Sequence, residues 1–359
     1  MARQGGGRRY PSVDALRGLT VAAMLLVNDP GEWAHVWWPL EHAPWHGCTP
    51  TDLIFPMFLF IAGVSIALGV VPRVLQGGDR GAATRMVWVR ALRIIGFGLL
   101  LHALAWWWLD KPHFRPWGVL QRIGVCFALA GSAAVWLRPR AQWALIIALL
   151  AGYASLLAWG GTLAPWHNLA SRVDTALLGP LLYQFDPATG LGHDPEGLLS
   201  TLGALASTLL GVRAGDWLRH DRGGRLLGAA VACAALGLAW SAWLPWNKNL
   251  WTPSYVLWCG GLSMALLWLA HALIDLRGWP ALGRSFGVNA IAAYGGSAIM
   301  VYALVGLGWW EPLYERGFAS WIAPLAGREA SSAAFALAFV AVWWLIVRWM
   351  DRRRWYPKI

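Results

Sequence analysis

Long apolar runs separated by short polar connections organise this chain. The runs lie near residues 12–28, 52–71, 86–109, 118–137, 142–159, 198–217, 224–244, 251–274, 288–309 and 332–350. Each approaches the roughly 20 residues that an α-helix needs to cross a hydrocarbon core. A β-barrel would instead show apolar and polar residues alternating over about ten positions, and no such alternation is present. Continuous apolar segments satisfy their backbone groups in lipid only as helices. The pattern therefore predicts an all-α, polytopic integral membrane protein of about ten transmembrane helices.

Composition agrees: 58% of the 359 residues are apolar and 13% charged, about half the charge of an ordinary soluble domain. The formal net charge of +11 could suggest nucleic acid, so its placement decides. If residues 1–10 face the cytoplasm, alternate connections fall inside. Of the 29 Lys and Arg, 22 then lie on the inner side, while 12 of the 18 Asp and Glu lie on the outer side. That asymmetry is the positive-inside pattern for ten spans with both termini cytoplasmic, and it makes a nucleic-acid partner unnecessary. The first apolar run continues into a multi-span chain, so it reads as a retained span rather than a cleaved signal. Four cysteines, of which only Cys48 lies outside the predicted spans, make a disulfide framework unexpected.

The chain reads as one membrane domain over residues 1–359, with outer connections at 29–51, 160–197 and 310–331. No fixed-period repeat or low-complexity linker interrupts it. The 160–197 connection is rich in Pro, Gly and Asp and too polar to span, and long loops inside compact proteins are often functional. Tryptophans such as Trp33, Trp45, Trp117, Trp166 and Trp251 cluster at the outer ends of spans, where indoles favour the interface. Glycines are spread so widely that no single helix face stands out for a homodimer.

Ionisable groups inside spans are costly and mark function by default. Asp14 and Arg17, three apart, can pair on one helical face. Arg85, Arg90 and Arg93 recur down the inner end of the third span, and three guanidiniums there suit a phosphate-bearing ligand from the cytoplasm. Gln121 and Arg122 open the fourth span on the outer side. In the stretch 41–63, EHAPWHGCTPTDLIFPMFLFIAG, ionisable groups gather ahead of an apolar run. Asn28 ends the first span and His42 precedes the second, so an imidazole able to take a proton and an amide able to donate to an oxyanion flank one mouth. Together they suit acyl transfer to an amine. A solvated interfacial histidine is the plain alternative. A metal site on His35, His42 and His46 is a further one, although Pro44 and Gly47 argue against the helix that His-x-x-x-His spacing prefers.

The ordered segments SVDALRG with LLVN, HAPWHGCTPTDLIFPMFLFIAG, GVLQRIGV, DPEGLLSTLGA and PWNKNLWTPSYVLWCGG resemble the heparan-alpha-glucosaminide N-acetyltransferase family from residue 12 to about 300. The resemblance implies a transmembrane acyltransferase that moves acetyl from cytoplasmic acetyl-CoA, as co-substrate and without a metal, to a glucosamine-type amine across the bilayer. It puts the active-site histidine at His42 and its partner asparagine at Asn28. Asp52, His46, Glu196, Lys248 and Asn249 are then the expected acceptor-side groups, while Arg85, Arg90, Arg93, Arg17, Gln121 and Arg122 are the expected contacts to the acetyl donor. Position 46 is histidine where the animal sequence is expected to have asparagine, and the animal enzyme carries a lumenal domain ahead of the membrane core. Both departures bear on the acceptor. The short N-terminal segment and arginine-dense tail point to a bacterial inner-membrane relative acting on cell-wall or catabolic amino sugars. An amino-sugar transporter is the rival reading, motivated by the many spans and aromatic outer mouth, and a metal-dependent hydrolase is the third.

Overall fold

A computed structural model gives the fold and describes residues 9–357. Residues 1–8 and 358–359, on which the expected cytoplasmic location of the two termini partly rests, lie outside the described residues. The helices are α1 (Pro11–Asn28), α2 (Ile54–Gly69), α3 (Val71–Leu75), α4 (Arg80–Trp108), α5 (Val119–Trp136), α6 (Pro139–Trp159), α7 (Leu169–Leu178), α8 (Thr201–Arg219), α9 (Gly223–Trp240), α10 (Pro253–Ala270), α11 (Arg284–Val288), α12 (Ala290–Gly306), α13 (Trp310–Tyr314), α14 (Ser320–Ala326) and α15 (Arg328–Arg352). Each long helix coincides with one of the apolar runs. Local chemistry sets their starts: Pro11, Pro139 and Pro253 occupy first-turn positions, where a missing N–H costs nothing. The Asp79 carboxylate caps α4 by accepting from the N–H groups of Gly81 and Ala82, each at 2.9 Å.

Two expectations need correction. The outer connection 160–197 carries, besides α7, an antiparallel hairpin of β1 (Gln184–Asp186) and β2 (Leu191–His193), so the chain is not purely α. The region 310–331, expected as an outer connection, is mostly helical: α13 and α14 flank a π-helical turn at Glu315–Ala319. Together they turn back from α12 at 98°.

Among the described residues seven helices are long and apolar enough to cross a membrane, or eight if the bent α12–α14 pair is one span, making this a multi-pass helical membrane protein. The expected count of ten included three runs that fall short for physical reasons. In α1 the charges of Asp14 and Arg17 interrupt the run, in α8 those of Arg213, Asp216 and Arg219, and α12 has only 17 residues.

Most of α8 is buried, and it packs backbone to backbone on α2. A methyl at Gly63 would collide with the Thr208 carbonyl, and one at Gly211 with the Phe60 carbonyl. In lipid, where apolar side chains gain nothing by leaving solvent, such close approach of small residues is what holds helices together. The main core of Leu59, Phe60, Ile66, Leu209, Tyr255 and Met264 is built around this pair.

Successive long helices run in opposite directions and so sort the connections to two ends. One end joins Lys248 to His42, Arg115 to Glu196 and Arg328 to Glu32. The other joins Tyr10 to the Leu218 carbonyl at 3.3 Å and Arg284 to Asp351 at 2.6 Å.

Candidate functional site

The segment between α1 and α2 folds around one carboxylate. Asp52, only 1% exposed, takes the Ala43 N–H at 3.1 Å, the Thr49 N–H at 2.9 Å and the Thr49 hydroxyl at 3.1 Å on Oδ2. Its Oδ1 stands 2.7 Å from His42 Nδ1. A carboxylate that has filled one oxygen with fixed donors holds its second in place, so the His42 ring is oriented and its Nδ1 proton is directed at Asp52. Nε2 is thereby left as the basic nitrogen, the arrangement in which a buried acid fixes an imidazole tautomer for proton transfer.

The turn at 245–252 brings a cation to the same ring. Asn247 Oδ1 accepts from the Leu250 N–H at 2.8 Å, Thr252 Oγ1 donates to the Pro245 carbonyl at 2.9 Å, and Trp251 sits with φ of +51°, a left-handed conformation that non-glycine residues adopt only under local constraint. This tight turn holds Lys248 Nζ 3.0 Å from His42 Nε2 and 3.3 Å from Nδ1. Burial lowers the Lys248 pKa, opposed by the charges of Glu196 and Asp52.

Facing it is an acid–arginine network. Arg115 reaches Asp194 Oδ1 at 2.5 Å and Glu196 Oε2 at 2.7 Å, and its guanidinium lies 4.7 Å from the centre of the Tyr183 ring. Arg122, fully buried, donates to the carbonyls of Glu196 at 3.1 Å and Gly197 at 2.9 Å and to the Ser200 hydroxyl. Burial pushes the Glu196 carboxyl up, but Arg115, Arg122 and Lys248 hold it below the usual range, whereas burial raises Asp194.

These groups surround a cavity of about 500 Å³ lined by Asn28, His42, Glu196, Lys248 and Asn249 among others. A second cavity, of about 540 Å³, is lined by Arg17, Ser65, Arg90 and the apolar Phe58, Ile61, Ile94 and Phe127. Met24, Phe58, Val119 and Tyr294 line both, so the two spaces adjoin across these four side chains. Arg17 is held by Asp14 at 3.1 Å, the Gly287 carbonyl at 3.2 Å and Ser65 at 2.9 Å.

Of the residues singled out in the sequence, Asn28, His42, Glu196, Lys248 and Asn249 converge on the first cavity, with Asp52 behind His42. Arg17 and Arg90 reach the second. Arg85 and Arg93 are exposed on α4 and line neither. Gln121 and Arg122 are buried at the first cavity's end of α5, where Arg122 braces the 196–200 turn rather than lining either space. His46 meets Asn247 at 3.3 Å, outside the cavity lining. His35 pairs with Glu32 at 3.1 Å, so the three histidines of the metal reading do not converge, and no group of three potential ligands is found among the described residues. Sequence reasoning missed Arg115, Asp194 and His193. Asp194 opens the DPEG segment it quoted, but Arg115 and His193 carry no local signal.

The comparisons extend what the motifs carry. Residues 9–177 match the family model described as heparan-alpha-glucosaminide N-acetyltransferase, catalytic. The heparan-alpha-glucosaminide N-acetyltransferase of Mus musculus is 29% identical over 372 aligned positions, covering 83% of this chain and 54% of the mouse protein. That of Homo sapiens is 29% identical over 364, covering 81% of this chain and 53% of the human protein. The chain spans about half the length of the curated relatives it matches. Over most of its length the chain is therefore similar to the heparan-alpha-glucosaminide N-acetyltransferases, and over residues 9–177 to the catalytic model of that family.

Proposed function

We propose that the chain is a transmembrane N-acetyltransferase that takes acetyl from acetyl-CoA in the cytoplasm and delivers it to the amine of a glucosamine-type sugar on the opposite side. In this reading the chain forms a single membrane domain of ten helices with both termini cytoplasmic, in a bacterial inner membrane. The end carrying Arg17, Arg90 and Arg284 is the inner one, in keeping with the positive-inside distribution. The observation that carries the proposal is the meeting of two cavities: one holds a carboxylate-oriented histidine, the other offers arginines below apolar walls.

The donor fits the second cavity by chemistry. Arg90 has no carboxylate partner among the described residues, and guanidinium suits phosphate, while Phe58, Ile61, Ile94 and Phe127 suit an extended, mostly apolar arm. The thioester would reach the ring of Met24, Phe58, Val119 and Tyr294, beyond which lies His42. Glu196, in the wall of the first cavity, would accept a hydrogen bond from the acceptor's neutral amine and hold it there.

Two routes then use the same atoms. In direct transfer His42 Nε2 takes a proton from the acceptor amine as its lone pair attacks the thioester carbonyl, and the CoA thiolate leaves. In the two-step route Nε2 itself attacks the thioester carbonyl and the CoA thiolate leaves; the amine then attacks the acetyl carbon, and the departing imidazole takes up the amine's proton. In either, Asp52 stabilises the cationic ring, and Asn28 donates to the oxyanion, a contribution typically worth about 10²–10³ in rate.

The test is transfer of labelled acetyl from acetyl-CoA to glucosamine by the protein in proteoliposomes. His42→Ala abolishes it while the protein keeps its folded elution profile and melting temperature. Full transfer by that variant removes His42 from the chemistry. Saturable uptake of labelled N-acetylglucosamine without any need for acetyl-CoA would support the transporter instead.

A further inference from the structure

We propose that His193 forms, with Asn249, a subsite in the first cavity that recognises a hydroxyl group of the acceptor; this rests on the transferase reading above. The residue ends strand β2, which pairs Gln184 with His193. It is 5% exposed and lines the first cavity together with His42, Glu196, Lys248 and Asn249. Its Nδ1 is engaged by the Ser171 hydroxyl at 3.0 Å. Ser171 is itself fixed, because Asn168 caps α7 by accepting from the Ser171 N–H at 2.8 Å and donating to the Ala164 carbonyl at 3.0 Å. Trp45 packs edge-on against the imidazole with ring centres 5.2 Å apart, and the Trp45 indole is tied to the Leu163 carbonyl at 2.8 Å. The ring is thus held on two sides.

Its Nε2 is buried and meets no hydrogen-bond partner among the described residues. Buried polar atoms are nearly always satisfied, and an exception needs an explanation; here the unpartnered atom belongs to a ring in the wall of a cavity meant for a polyol. Burial pushes the imidazole down to about 4, so the ring is neutral at working pH and holds no anion. The neutral ring offers either an N–H or a lone pair at Nε2, because Ser171 can donate to Nδ1 or accept from it. A hydroxyl both donates and accepts, and it satisfies either form. The Asn249 side chain acts on the imidazole as a nearby hydrogen-bonding group without reaching hydrogen-bond geometry at Nε2, so a hydroxyl placed between the two would bond to both. The subsite therefore selects amines that carry a neighbouring hydroxyl over bare alkylamines.

The experiment compares wild type with His193→Phe and His193→Gln on glucosamine, on its 3-, 4- and 6-deoxy derivatives and on cyclohexylamine. Phe keeps the packing against Trp45 and removes the hydrogen bond; Gln restores a donor and acceptor. The expected result is that His193→Phe lowers kcat/KM for glucosamine about 10- to 100-fold, the value of one lost neutral hydrogen bond in a buried site. The loss falls mainly on KM, and His193→Gln recovers part of it. One deoxy derivative, the one lacking the recognised hydroxyl, is handled equally by wild type and His193→Phe. Uniform loss across all acceptors, or unchanged kinetics with glucosamine, overturns the subsite while leaving the transferase intact. Absence of acetyl transfer to every amine by wild type overturns the reading beneath it, and the subsite with it.

Discussion

Asp52 presents one oxygen to His42 Nδ1 at 2.7 Å and commits the other to three donors from the same loop. The carboxylate is therefore both the organiser of the 41–53 segment and the partner of the imidazole. Asp52→Asn separates these roles, since an amide oxygen still accepts backbone N–H groups but its NH₂ cannot take the Nδ1 proton or offset a cationic ring. Acetyl transfer is expected to fall by roughly 10²–10⁴, on kcat more than on the acceptor KM, as when a histidine loses its orienting acid. Melting temperature in detergent should change by only a few degrees. A variant with wild-type kcat would show that His42 needs no acidic partner.

The two arginine classes on α4 differ in reach. All three are exposed, but Arg90 lines the second cavity and lies over Phe127 at 5.1 Å, whereas Arg85 and Arg93 line neither cavity. If the cavity takes the phosphates of acetyl-CoA, Arg90→Ala raises the KM for acetyl-CoA by about tenfold or more, the cost of one charge-assisted hydrogen bond. Arg85→Ala and Arg93→Ala leave it within about twofold. Saturation curves for acetyl-CoA at fixed acceptor measure this, and equal effects of the three substitutions would remove the cavity from donor binding.

That contrast shows where the sequence was legible. Asn28 and His42 were visible because they are polar groups at the ends of two apolar runs, and a span boundary needs no tertiary knowledge. Glu196, Lys248 and Asn249 came from segments whose order carries the family resemblance. Which of three arginines on one helix faces a cavity depends on rotation about the helix axis. Arg85 and Arg90 lie about 140° apart at 100° per residue, and apolar residues surround both, so lipid-facing and cavity-facing sides look alike. Hairpin strands of three residues are too short to show alternation, which hid His193. Arg115 gains its meaning from Asp194, 79 residues away, a pairing only the folded chain makes.

Asp174 carries a pH signature. Burial pushes its carboxyl up to about 6, although the Leu198 N–H, at 2.8 Å from Oδ1, works against this. Between the unfolded carboxylate value and about 6 the folded protein holds a proton that the unfolded chain has released, so stability falls as pH rises through that window. Each unit is worth about 1.4 kcal/mol. Asp174→Asn keeps the acceptor for Leu198 and removes the ionisation, so the variant should melt higher than wild type at pH 7.5 and equal to it at pH 4. Thermal melts across that range read the difference, and parallel profiles for the two proteins would mean that Asp174 is ionised at no cost.

Val119 sits where the two cavities share their walls, beside Phe58 and Tyr294. It is partly buried at the start of α5, packed against the main core on one side and lining both cavities on the other, so a larger side chain has the cavity space to grow into and overpacking costs less than it would in a closed interior. Val119→Trp should obstruct the passage between the arginines and His42 without touching either. If acetyl must cross that ring, transfer to glucosamine falls at least tenfold on kcat, while the KM for acetyl-CoA stays within about threefold because the phosphate contacts remain. A geometry error of even one ångström between reacting groups is enough for a loss of this order. The complementary substitution, Val119→Gly, widens the same junction and should preserve transfer. Transfer at the wild-type rate by Val119→Trp would mean that the acetyl group reaches His42 by another route, and the two cavities would then be neighbours without being one path.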